Sequence, residues 1–158
     1  MRRIELVLLG EPMSKQSARF KIKRNKRGKI VYVKGSPVIV SYQLPKYAVK
    51  EKDYRKQIKG QLPKGFEMFT KRVHCLKFKI VHPHRKVDES SKAKRVFLES
   101  GGLIEKTTNP DLMDNLKKLP YDSMSELIFK DDGLVSVETN CSKWYGLNPR
   151  IEIILEGE

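Results

Sequence analysis

Along this chain apolar and polar residues switch between two periods. "IELVLLG" (Ile4–Gly10) alternates weakly and predicts a first strand. "KIVYVKGSPVIVS" (Lys29–Ser41) is β-branched on both sides of Gly35-Ser36-Pro37 and predicts a ribbon, with "EPMSKQSARFKIKRNKRGK" before it as a basic loop. "HCLKFKIVHP" sets Leu76, Phe78 and Ile80 against Lys77 and Lys79, the pattern of a half-buried strand. "LVSVETNCSKWYG" predicts another strand, and "PRIEIILEG" a closing one with Ile151, Ile153 and Leu155 on one face. Between these stretches the period lengthens. Tyr47, Tyr54, Ile58 and Leu62 recur at near-helical spacing behind Pro45, which suits a first helical position. "SSKAKRVFLESGG" predicts a short basic helix stopped at Gly101-Gly102. A third helix is expected from Asn109, with Asn109 as N-cap, Pro110 first and Asp111 at the positive end of the dipole. The order, roughly β-ββ-α-β-α-α-β-β, predicts an α+β class: one domain over residues 1–158, a mixed β-sheet and two or three helices.

Charge changes the picture most. Residues 1–106 hold 28 Lys and Arg against 9 Asp and Glu, residues 107–158 hold 5 against 10, and together they give the net +14. A long basic portion points to a polyanion, because each neutralised phosphate releases counterions. The acidic remainder needs its own reason, since carboxylates repel phosphate unless a cation lies between them. The rest of the composition mostly excludes. No apolar stretch is long enough to span a bilayer and the basic start reads as a strand, so a cytoplasmic protein without membrane contact is expected. Cys75 and Cys141 lack zinc spacing and read as buried apolar residues, and His82 and His84 as a solvated loop or phosphate contact.

The carboxylates concentrate in "NPDLMDNLKKLPYD" (109–122) and "KDDG" (130–133). On a helix, Asp111, Asp114 and Lys118 fall within an arc of about 60°, with Leu112, Leu116 and Leu119 on an adjoining arc. Two acids three residues apart destabilise a helix unless something neutralises them. Asp111 and Asp114, with Asp132 on a facing loop, make a candidate oxygen-only Mg²⁺ site, beside which Lys118 meets charge growing on phosphorus. Each motif also has a plainer reading: paired Asp caps a helix, and Asp-Asp-Gly makes a turn. Residue chemistry leaves both open.

At these residues the chain resembles the RusA family of Holliday junction resolvases, small endodeoxyribonucleases common in phages and prophages. "PDLMDNLKK", then Asp122, then "FKDDG" follow the family's acidic pattern, with Met113 as one extra residue between the paired acids. "PMSKQSARF" is similar to its early basic motif, with Ser17 where Arg is usual, and "KWYG...PRIEIILEG" to its Lys-x-Tyr-Gly turn and final strand. "SSKAKR" before "LIEKTTNPD" is similar to the Lys-rich segment of many phage members, so the resemblance covers most of the chain.

The resemblance implies a RusA-like fold and a hydrolase that resolves four-way junctions by paired phosphodiester hydrolysis in DNA recombination and repair. It implies Asp111, Asp114 and Asp132 as ligands of Mg²⁺, with Mn²⁺ as a possible substitute, and Lys118 as the catalytic lysine. It also implies a homodimer on branched DNA, with Lys15, Gln16, Arg19 and Lys117 near phosphate. Pro120 predicts a kink in the expected helix, and Asp122 reads as a helix residue or one that supports the ligands from behind, before a ligand itself. The alternative is a catalytically impaired branched-DNA-binding protein of the same fold. An RNA-binding accessory protein ranks last, because the aromatic-rich strand motif of common RNA readers is missing.

Overall fold

The longest strand of the fold, Val73–Pro83, is the one around which the main sheet is built. A computed structural model of the chain describes residues 1–15, 19–42, 44–110 and 115–158, with the backbone alone at Arg19. In chain order the elements are β1 (Arg2–Leu9), β2 (Arg19–Ile22), β3 (Tyr32–Val33), β4 (Ser36–Pro37), β5 (Ile39–Tyr42) and α1 (Pro45–Gln61). Then come β6 (Val73–Pro83), α2 (Lys92–Glu99), β7 (Ile104–Glu105), α3 (Lys118–Met124), β8 (Val135–Glu138), β9 (Cys141–Gly146) and β10 (Arg150–Gly157). Short 3-10 turns cover Lys86–Glu89 and Asp132–Leu134. The class is α+β with a mixed sheet, as expected, and the described residues include three α-helices where two or three were expected. No helix among the described residues is long and apolar enough to cross a membrane.

β6 pairs antiparallel with β10, and β10 antiparallel with β1. On its other edge β6 pairs in parallel with β8 and then β9, and β7 adds antiparallel beyond β9. One strand was expected over 134–146, yet two form. The cause is a bulge in β6, where Lys77 faces Ile154 and Cys75 faces Leu155, leaving Leu76 as the extra residue. The bulge moves Leu76 off the face it shares by sequence alternation with Phe78 and Ile80, so Leu76 is only half-buried. Opposite it, the chain turns out of register at Asn140 (φ 48). There the Thr139 hydroxyl and Asn140 amide both donate to the Leu76 carbonyl, which the bulge has taken out of the ladder.

One face of the sheet is covered by α1 and α3, which pack on each other. Ile4, Leu6 and Leu8 of β1, Phe78 and Ile80 of β6, and Ile151, Ile153 and Leu155 of β10 meet Tyr54 and Ile58 of α1 and Leu119 and Met124 of α3. Helix α1 also closes the sheet's open edge. Gln61 takes both the N–H and the C=O of Val7 (2.8 and 2.9 Å), and Gln57 does the same for Leu9 (2.7 and 3.2 Å). Two side-chain amides thus act as a missing strand. The expected basic loop is partly strand: β2 pairs with β5 in a separate two-stranded ribbon, with β3–β4 as a smaller hairpin within it.

The third helix differs from expectation. Residues 108–110 are bends with a cis Asn109–Pro110 peptide, residues 115 and 116 are π-helical, and the expected helix start over 111–114 lies outside the described residues. Helix α3 begins at Lys118. That places Pro120 in its first turn, directly after π-helical residues 115 and 116, so the irregularity expected of the proline stands just before α3 rather than as a kink within it.

Candidate active site

Around α3 the lysines divide into outward and inward groups. Lys118, its first residue, is exposed. Lys117, just before it, is 3% exposed, and its ammonium donates to Glu138 of β8 (2.6 Å). Burial lowers the Lys117 pKa, but hydrogen bonds and charge from Glu138 and from Cys141 together outweigh it and raise the net value, so Lys117 stays charged. Glu138 also accepts from the Tyr121 hydroxyl, whose pKa burial pushes far up. Tyr121 in turn stacks on Phe78 (5.5 Å between centroids). The charged pair is thereby tied to the sheet's central strand.

Lys15 is likewise 3% exposed. Its backbone N–H donates to the carbonyl of Asn115 (2.9 Å), and its ammonium pairs with Asp122 of α3 and lies 3.7 Å from Glu51 of α1. Arg55 of α1 completes this clasp by donating to the carbonyl of Ser125 at the end of α3 (2.9 Å). Lys15 and Lys117, expected near phosphate, therefore sit inside the fold and hold the segment 115–122. The physical reason is that each has a carboxylate partner from a distant element. Asp122, expected as a helix residue, is one of those partners.

At the second acidic motif the two aspartates have different jobs. Asp131 caps the 3-10 turn Asp132–Leu134 by accepting the Gly133 N–H (2.7 Å). Asp132 is exposed, and its carboxylate makes no hydrogen bond or ion pair among the described residues. This turn packs against α3.

The segment leading to residue 111 is held as well. Lys106, 6% exposed, donates to the Thr108 hydroxyl (2.8 Å), the Asn109 carbonyl (2.8 Å) and the Tyr145 hydroxyl (2.9 Å). Lys143 of β9 donates to the carbonyls of Thr108 (2.8 Å) and Pro110 (3.1 Å). Burial pushes the Tyr145 pKa up, but hydrogen bonds from Lys106 and Thr108 and the nearby Lys106 and Arg85 charges bring it below the usual phenol value. The sequence marked Lys143 and Tyr145 only through the Lys-x-Tyr-Gly resemblance. Lys106, Glu138 and Glu51 carried no signal, because a lone charged residue does not announce its partner.

His82 lies on β6 and is buried, not in a solvated loop. Burial, then the charges of Lys106 and Lys143, lower its pKa to about 4. The unfolded chain, with an ordinary histidine near pH 6.5, takes up the proton first. Stability is therefore intact above that pH and falls as pH drops toward 4, by about 2 kcal/mol between pH 7 and 5. Urea unfolding at the two pH values should show this loss in the parent chain and not in His82→Gln. Equal slopes in both would exclude His82 as the source.

Asp111, Asp114 and Gln16 lie outside the described residues, as does the side chain of Arg19. Among the described residues no cluster of three His, Cys, Asp or Glu side chains is placed to hold a metal ion.

No curated protein sequence matches the chain significantly. A family model, that of endodeoxyribonuclease RusA, matches residues 10–156. With the match running from the end of β1 almost to the last residue of β10, the chain belongs to the RusA endodeoxyribonuclease family.

Proposed function

We propose that the chain is a divalent-metal-dependent, structure-selective endonuclease that resolves four-way DNA junctions. As a homodimer it would hydrolyse one phosphodiester in each of two opposed strands. Family membership carries this reading. Support from the fold is local: Asp132 presents an unengaged carboxylate because Asp131 takes the capping duty, and Lys118 faces outward on the helix packed against that turn.

Asp111, Asp114 and Asp132 would hold Mg²⁺, with Mn²⁺ able to replace it. When bound, the cation supplies charge neutralisation at the phosphate and activation of water. The remaining work falls to the chain. Lys118 offers positive charge where the reacting phosphorus gathers negative charge. Lys15 and Lys117 fix the backbone on the far side of the paired acids, and Lys106 and Lys143 fix it on the near side. Arg19 and the basic ribbon that follows it meet phosphate.

The test is cleavage of a synthetic four-way junction by the purified chain. Symmetric nicks with Mg²⁺ or Mn²⁺, none with EDTA, and little cutting of linear duplex are expected. Junction binding with a steep salt dependence but no cutting in either metal would overturn the enzymatic reading. It would leave the chain as a branched-DNA-binding protein of this fold.

A further inference from the structure

The ribbon β2–β5 exposes an apolar face that nothing among the described residues covers. Its register sets Phe20 opposite Ser41 and Ile22 opposite Ile39, and directly opposed residues share a face. On that face Phe20 is 71% exposed, Ile22 45% and Ile39 63%. The other face is partly covered: Val40 and Tyr42 are half-buried, and the Lys21 ammonium lies 4.9 Å over the Tyr42 ring. Three large apolar side chains thus stand in water side by side, which is costly unless something docks there.

Charge identifies the occupant. Residues 19–42 contain eight Lys and Arg and no Asp or Glu, and no acid occurs between Glu11 and Glu51. A two-fold contact with the same face of a second copy would bring two such cationic ribbons together, which the Coulomb term opposes. A polyanion is attracted instead. The outer surface of a DNA duplex offers phosphates and sugars but no flat apolar surface. Such surface becomes accessible where bases are unpaired or unstacked, as at a branch point, and apolar side chains then receive the base faces while cations follow the backbone.

We infer that the Phe20–Ile22–Ile39 face binds unstacked bases of branched DNA, with the ribbon's lysines and arginines on the adjoining phosphates. This rests on the branched-DNA reading above and adds to it the part of the chain that distinguishes a branch point from a duplex arm.

Phe20→Ala and Ile39→Ser test it, since both residues are exposed and neither change should alter the melting temperature. Affinity is measured by fluorescence anisotropy at one salt concentration, for a four-way junction, a single strand and a blunt duplex of the same arm sequence. Each variant should weaken junction and single-strand binding by roughly 5- to 100-fold. Duplex affinity should change less than about two-fold, because phosphate contacts are untouched. The sedimentation coefficient should not change. Equal losses on duplex and junction, or no loss at all, would overturn the inference. So would a lighter sedimenting species, which would make the face a contact between copies. A parent chain that neither prefers nor cuts junctions would remove the functional reading instead. The single-strand arm would still decide whether the face touches bases.

Discussion

Replacing Asp132 with Asn is expected to cut junction cleavage by about 100-fold or more, with junction binding retained or tightened. The exposed Asp132 carboxylate has no partner among the described residues to satisfy its charge, so it is available to a cation. The amide is nearly the same size and still offers an oxygen, but it lacks the negative charge that holds a hard ion. Removing a charge that faces phosphate also lowers repulsion, and for that reason binding should not suffer. Asp131→Asn is the internal control. Its side chain accepts the Gly133 N–H, a role an amide oxygen fills, so activity should stay within a few-fold at a stability cost of at most about 1 kcal/mol. Gel assays of cleavage and binding on one junction read both effects. Retained cutting by Asp132→Asn with loss in Asp131→Asn would reverse the assignment of the two acids. Asp114→Asn should behave like Asp132→Asn, since both would serve the same ion.

Lys15→Met should cost about 2–3 kcal/mol, a fall in melting temperature of roughly 5–10 °C for a chain of this size. Methionine keeps the volume of the stem but removes the ammonium that Asp122 and Glu51 share. The two carboxylates are about a third exposed and recover some hydration, which keeps the loss below that of a fully buried pair. Adding Asp122→Asn to Lys15→Met should regain part of the stability, because one stranded charge is gone, and the double-mutant cycle measures that coupling. A lysine on phosphate behaves differently. If Lys15 contacts DNA, Lys15→Met leaves the melting temperature unchanged and lowers the salt dependence of binding by about one ion. Calorimetry and a salt titration on the same variant separate the two roles.

The elements that the sequence made legible are those whose information is local. Ile151, Ile153 and Leu155 alternate along β10, and Tyr47, Tyr54 and Ile58 recur along α1, because a residue's face follows from its neighbours in the chain. The gathering of aspartates at 111–132 within a basic chain was legible for the same reason. The fold class and family could be read at this level.

Pairing was not legible. Nothing near Leu76 announces a bulge, since a bulge exists only relative to the strand opposite, and the break between β8 and β9 follows from it. The start of α3 depends on what holds residues 106–110 and 115–117. Those partners, Lys143, Glu138 and Lys15, are 21 or more residues from what they hold. Lysines read alike in sequence, whether on phosphate or in the core. Tertiary structure separates them by whether a carboxylate or carbonyl arrives to satisfy the buried ammonium. Thus Lys118 faces solvent, whereas Lys15, Lys106 and Lys117 turn inward and brace the chain on either side of the acids.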